Sequence, residues 1–224
     1  MAELYLVRHG QASFGSDNYD QLSPLGYQQA LWLGEYLRDR AIHPDRMIIG
    51  DMARHRQTAE NICQGLGRDM EIEVHAGFNE FDFLQLVNAY IEQRPELDMP
   101  DKAEPKQVYR LLRTAMTAWS KNEIDESSLT ESWQEFHSRV EAALSFARRA
   151  NTPRTLVASS GGTIAVALSQ IMGFDSETLI NVNLQSKNTG VSHFHYNDKN
   201  IYVSSFNNVP HLDNNQRLDA ITYS

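Results

Sequence analysis

The chain has 224 residues, a formal net charge of −9, 41% hydrophobic residues and 22% charged residues. This balance excludes disorder, a collagen-like repeat and a disulfide scaffold, and so acidic a surface argues against nucleic-acid and anionic-membrane partners. The single cysteine, Cys63, allows no internal disulfide, the residues before Arg8 are too few for a signal-peptide core, and no apolar run reaches membrane-spanning length, so a cytoplasmic protein is expected. Leu4 to Val7 is a continuous apolar run ending in Arg8-His9-Gly10, which predicts a strand buried on both faces. A polar loop with Gly15, Ser16, Asp17, Asn18 and Asp20 follows. Ser23-Pro24 then opens a helix, with serine as N-cap and proline in the first turn. Ala30, Leu33, Leu37 and Ile42 keep helical spacing, widened by Trp32 and Tyr36.

Met47 to Ile49 predicts a second strand, Ala53 to Leu66 a helix ended by Gly65 and Gly67, and Ile72 to Val74 a third strand. From Phe83 to Ala150 the strand pattern stops. Prolines interrupt the segment, and helical stretches are predicted around Val108 to Trp119 and Trp133 to Ala147. Thr155 to Ala158 returns to strand and runs through Ser159-Ser160-Gly161-Gly162-Thr163 into a helix, Ile164 to Met172. Val191 to Tyr196 and Ile201 to Phe206 predict a hairpin across Asn197-Asp198-Lys199-Asn200. This order predicts a three-layer α/β/α sandwich with a mostly parallel central sheet, a single domain over residues 1–224, and a helical cap inserted at 83–150.

Chemistry in such folds collects where strands end and helices begin. Arg8 and His9 stand at one strand end, where glycine next to them lets backbone and ligand approach closely. Arg54 opens a helix where a cation opposes the macrodipole, so a phosphate-gripping fork is a better reading than a solvent contact. Arg56 reads as a solvent-facing neighbour. The turn at Ser159 to Thr163 could cradle an oxyanion or simply pack helix against sheet. In Phe78-Asn79-Glu80-Phe81-Asp82-Phe83, a carboxyl among phenyl rings would stay protonated as a general acid requires; an amphipathic strand end is the other reading.

Taken together, Leu6 to Gly10, Leu22 to Ala30, Arg54 to Ala59, Phe78 to Glu80, Val157 to Ile164, Asn188 to Ser192 and Asn207 to Leu212 resemble the histidine phosphatase superfamily, the phosphoglycerate-mutase-like group, in order along the chain. The resemblance implies that His9 is a nucleophile that becomes phosphohistidine. It implies that Arg8 and Arg54 grip the phosphoryl oxygens, that Glu80 protonates the leaving oxygen and then activates water, and that the cap selects substrate. Gln11, Ser13, Ser160 and Gly161 join Arg8 and Arg54 as expected substrate contacts. Neither metal nor cofactor is expected, since two guanidinium forks can stabilise a phosphoryl group in transfer.

Two departures from the pattern stand out. Members normally carry a second histidine directly before the paired glycines, where this chain has Ser160; His55 or His211 could fill the gap. The stretch after Gly10 lacks the asparagine of many mutases, which favours a phosphatase. The expected activity is that of a phosphomonoesterase, slowed to the extent that Ser160 is a weaker donor than histidine, acting on a small phosphorylated substrate or a phosphoprotein. The alternatives are a pseudophosphatase that binds phosphate without turnover and, less favoured, a mutase. Oligomeric state stays open, a homodimer included. His193 and His195 share a strand face but have no clear third partner for a metal. Trp119 and Trp133 are expected to pack the cap or line the pocket mouth, and Cys63 to be a small core residue.

Overall fold

The computed structural model describes residues 1–13, 20–94, 105–149 and 152–223. The predicted loop residues Gly15, Ser16, Asp17 and Asn18 lie outside them, as do Pro95 and Ala150. The strands are β1 (Ala2–Arg8), β2 (Arg46–Ile49), β3 (Ile72–Val74), β4 (Arg154–Ser159), β5 (Val191–Tyr196) and β6 (Ile201–Asn208). They form one sheet in the order β3-β2-β4-β1-β5-β6. The β3, β2, β4 and β1 strands run parallel, while β5 and β6 are antiparallel to their neighbours.

The helices are α1 (Pro24–Asp39), α2 (Ala53–Leu66), α3 (Phe83–Glu92), α4 (Pro105–Ser120), α5 (Trp133–Arg148), α6 (Gly161–Met172) and α7 (Ser176–Leu184). Because side chains alternate across a strand, β1 feeds two cores. Tyr5 and Val7 pack with Leu33 and Leu37 of α1 and Ile62 and Cys63 of α2. Leu4 and Leu6 pack with Phe136 and Val140 of α5 and Val166 and Leu168 of α6. Helices on both faces of a mostly parallel sheet make the α/β/α sandwich that the element order predicts. Among the described residues, no helix is long and apolar enough to cross a membrane.

Local chemistry explains the element boundaries. The Ser23 hydroxyl accepts the Gly26 N–H at 3.1 Å to start α1. Gly67, at φ 68°, closes α2 in the left-handed region. Gly65 is not an end signal. It lies inside α2, where a Cβ would stand 2.2 Å from the Leu31 carbonyl oxygen, so it lets α1 and α2 cross closely. Residues 83–94 and 105–149 contain α3, α4 and α5 and no strand among those described. Trp119 is fully buried there, ringed by Phe81, Phe136 and Trp133, so the two tryptophans pack these helices.

Two helices escape the sequence reading. Asp82 caps α3 by accepting the Gln85 N–H at 2.9 Å, and Asp175 caps α7 through the Thr178 N–H at 2.8 Å. Asp82 is therefore a helix cap rather than the partner of Glu80 in an alternating acidic strand.

Candidate active site

Four predicted side chains converge where β1, α2, α6 and the turn before α3 meet. His9 follows β1 and is 3% exposed. Its N–H donates to the Ser159 carbonyl at 2.8 Å, and its own carbonyl accepts from the Thr189 N–H and Asn188 Nδ2. Its Nδ1 lies 2.7 Å from the Gly10 carbonyl oxygen. A carbonyl can only accept, so Nδ1 carries the proton and Nε2 keeps the lone pair. Burial holds this imidazole well below the ordinary histidine range, aided by the Arg54 and Arg8 guanidiniums and His55. Gly10 serves a different purpose from the one its position suggests. A Cβ there would stand 2.3 Å from the Gly26 carbonyl oxygen, so the close neighbour is the backbone of α1 rather than a ligand.

Arg8 is anchored by Nη1, which donates to the Ser186 carbonyl and, at 2.8 Å, to the Tyr223 carbonyl. Arg54, in the first turn of α2, is 4% exposed and pairs through Nη1 with Asp20 Oδ1 at 2.8 Å. The other oxygen of Asp20 accepts the Ala53 N–H at 2.9 Å. One carboxylate thus neutralises the exposed helix start and steadies the cation beside it, which removes the macrodipole conflict. Asp20 was visible in the sequence only as one of several loop acids.

Glu80 accepts the Gly162 N–H of α6 at 2.9 Å through Oε2 and the Phe81 N–H at 3.2 Å through Oε1. Burial pushes its carboxyl above the ordinary range, opposed by the Gly162 N–H and by Arg54 and Arg8. The preceding residue, Asn79, is clamped from three elements. Its carbonyl accepts from Thr163 Oγ1 and Arg139 Nη1, each at 2.7 Å, and its side-chain oxygen accepts the Asp51 N–H. Arg139, held bidentately by Glu131, also donates to the Gly77 carbonyl and so ties α5 to the turn that presents Glu80.

The other predicted residues divide. Ser160 is fully buried, with Oγ 2.7 Å from His55 Nε2. Gly161 lies beside Arg8, whose Nε would be 3.4 Å from an added Cβ. The Gln11 side-chain oxygen accepts the Ser23 hydroxyl at 2.8 Å, beside the α1 cap, and the Ser13 N–H donates to the Gln21 carbonyl. His211 is engaged by Thr189, with Nε2 2.8 Å from Thr189 Oγ1; burial and then Arg217 push its pKa down to about 3. Arg56 is exposed, as read. The expectation about His193 and His195 needs correction, because β1 supplies a third potential ligand. Donor atoms of Glu3, His193 and His195 lie within 4.8 Å of one another. Glu3 is already paired with the Arg154 guanidinium and accepts the Tyr5 hydroxyl, so a positive group occupies that carboxylate.

Residues 4–209 match the family described as "Histidine phosphatase superfamily (branch 1)". The chain belongs to the histidine phosphatase superfamily. A relative from Citrobacter koseri, named "Probable phosphoglycerate mutase GpmB", is 28% identical over 225 residues, 95% of this chain and 96% of the relative. The alpha-ribazole phosphatase from Shigella flexneri superposes with a TM-score of 0.66 at 18% identity, covering 92% of this chain and 96% of that one. The phosphoserine phosphatase from Entamoeba histolytica, solved with 3-phosphoglyceric acid, superposes with a TM-score of 0.59 at 19% identity, covering 95% and 100%. At these identities the two structures show that this chain shares their fold.

Proposed function

We propose that this chain is a metal-independent phosphomonoesterase that passes the phosphoryl group through His9. The observation that carries this reading is the state of His9: a neutral imidazole, its proton tied to the Gly10 carbonyl, in the field of two guanidiniums. In the first step, the Nε2 lone pair forms a bond to phosphorus while the ester P–O bond breaks. The Glu80 carboxyl gives its proton to the departing oxygen. In the second step, water attacks the phosphohistidine, Glu80 takes a proton from that water, and inorganic phosphate leaves as His9 recovers its lone pair. Arg8 and Arg54 supply the charge stabilisation that phosphoryl transfer demands, with Ser160 and Gly161 at the α6 start as further contacts.

The family resemblance puts Ser160 where members carry a second histidine, and in this reading the helices of 83–150 act as the cap. Tyr109 of α4 donates its hydroxyl to the Leu184 carbonyl, two residues before Ser186, whose carbonyl holds Arg8, and this contact supports a cap beside the phosphate site. The substrate class is a small phosphorylated metabolite or a phosphoprotein; the Entamoeba phosphatase with bound 3-phosphoglyceric acid favours the former. The lone, buried Cys63 suits a cytoplasmic setting. Ser160 favours one competing reading, a phosphate-binding pseudophosphatase.

The test is hydrolysis of an aryl phosphate in excess EDTA. Turnover that survives chelation and disappears in His9→Ala supports the phosphatase. Turnover lost to EDTA, or retained by His9→Ala, contradicts it. Phosphate binding without turnover selects the competing reading.

A further inference from the structure

Serine at a helix N-cap normally turns its hydroxyl onto the second or third amide of the helix. Ser160 has the extended backbone of an N-cap, φ −111° and ψ 165°, yet its side chain bonds no α6 amide. Glu80 takes the Gly162 N–H instead. The Ser160 hydroxyl points to His55, which reaches across from the first turn of α2 with its Nε2 at 2.7 Å. Both residues are fully buried.

Space for the ring comes from Gly50. A Cβ there would stand 2.4 Å from His55 Nδ1, so any larger residue would displace the imidazole. The ring of His55 lies 5.9 Å from that of His9, centroid to centroid. Ser159 is the register partner of Arg8 across β1 and β4, which puts Ser160 alongside His9 where the strands end. A glycine, a buried imidazole and a serine released from its capping role thus form one arrangement facing the nucleophile.

The hydrogen-bond inventory fixes the direction of this contact. His55 Nδ1 is buried without a hydrogen-bond partner among the described residues. A buried N–H without a partner is rarer and costlier than an unpaired acceptor. Nδ1 therefore holds the lone pair, and Nε2–H donates to Ser160 Oγ. The serine's own proton is left for another acceptor, and His9, its ring 5.9 Å from that of His55, stands beside the pair.

We propose that His55 and Ser160 form a single donor unit, in which the His55 Nε2–H holds the Ser160 hydroxyl so that its proton is donated to a phosphoryl oxygen during transfer to and from His9. This rests on the phosphatase reading above. Ser160 touches the substrate; His55 is a positioning residue that acts through it.

The experiment is steady-state hydrolysis of an aryl phosphate by the wild type, Ser160→Ala, His55→Ala and the double variant, with melting curves for each. Removing a preorganised donor lowers kcat by about 10²-fold, with KM changed by less than about threefold. The account expects Ser160→Ala and His55→Ala each to lose about that much. The double variant should lose no more than either single, because the two act as one unit. A relocated pair, Ser160→His with His55→Ala, should recover kcat above both singles, which a merely structural role for His55 would not produce. Ser160→Ala removes one oxygen from a backbone it does not cap, so it reports even where His55→Ala fails to fold. Unchanged kcat in Ser160→Ala, or losses that multiply in the double variant, overturns the donor unit and leaves the phosphatase reading standing. Absence of His9-dependent turnover in the wild type overturns both.

Discussion

Two helices enter the site at their N-terminal ends, and neither is capped by its own N-cap residue. At α2 the N-cap is Met52, and Asp20 accepts the Ala53 N–H; at α6 it is Ser160, and Glu80 accepts the Gly162 N–H. The backbone task is the same and the chemistry is opposite. Asp20 is 40% exposed and ion-paired with Arg54, so it serves as a brace. Glu80 sits in a recess that disfavours its charge, so it can hold a proton to give. Borrowing a cap from elsewhere in the chain ties each carboxylate to a helix end, and the environment then decides whether it anchors or reacts.

Glu80→Gln breaks this comparison most directly. It keeps an oxygen for the Gly162 N–H but removes the transferable proton, so kcat should fall by about 10²- to 10⁴-fold in steady-state assays. Because burial raises the Glu80 pKa above its unfolded value, the carboxyl contributes stability at low pH that is lost as pH rises through the folded value. The same variant should therefore melt higher than wild type at neutral pH. A variant that is both slower and less stable would show that Glu80 is a structural cap.

The buried histidines carry the opposite pH signature. His55, with His9 and His211, is held neutral by burial, and its pKa lies below the unfolded value. Their contribution to stability is whole above about pH 6.5 and is lost as pH falls toward the folded values. Melting temperature should accordingly drop on acidification from pH 6.5, and His211→Gln should flatten that drop. An acid profile unchanged by His211→Gln would contradict the assignment. The smallest effect belongs to the brace: Asp20→Ala removes a helix cap and should cost about 1 kcal/mol, read as a melting shift of ~2–4 °C. No shift would mean the Asp20–Arg54 contact carries no net stability.

The strands and the helices flanking the site were legible because they carry strong local signals. Leu4 to Val7 can only be a buried strand, and Ser23-Pro24 is a helix start by backbone chemistry alone. The α7 helix is hard to read because Leu179, Ile180, Val182 and Leu184 nearly alternate, which masks the helical period, while the α3 start merges with the aromatic–acidic run at 78–83. Their caps, Asp82 and Asp175, were the available signals. Within the site, Arg8, His9, Arg54 and Glu80 stand out in the sequence because each sits near a strand end or helix start, and the fold places them near one another. Asp20 does not, because its partner Arg54 lies 34 residues away and nothing local marks the pair. The need for Gly50 was equally hidden, since it is set by the His55 ring folding back against it.

The central claim is that His9 carries the phosphoryl group. Enzyme quenched in mid-turnover, digested under conditions that preserve phosphoimidazole and sequenced by mass spectrometry, tests it directly. The account predicts the phosphoryl group on His9 Nε2 and none in His9→Ala. A phosphoryl group on Ser160, Asp20 or any other side chain, or turnover with no covalent adduct at all, would contradict it.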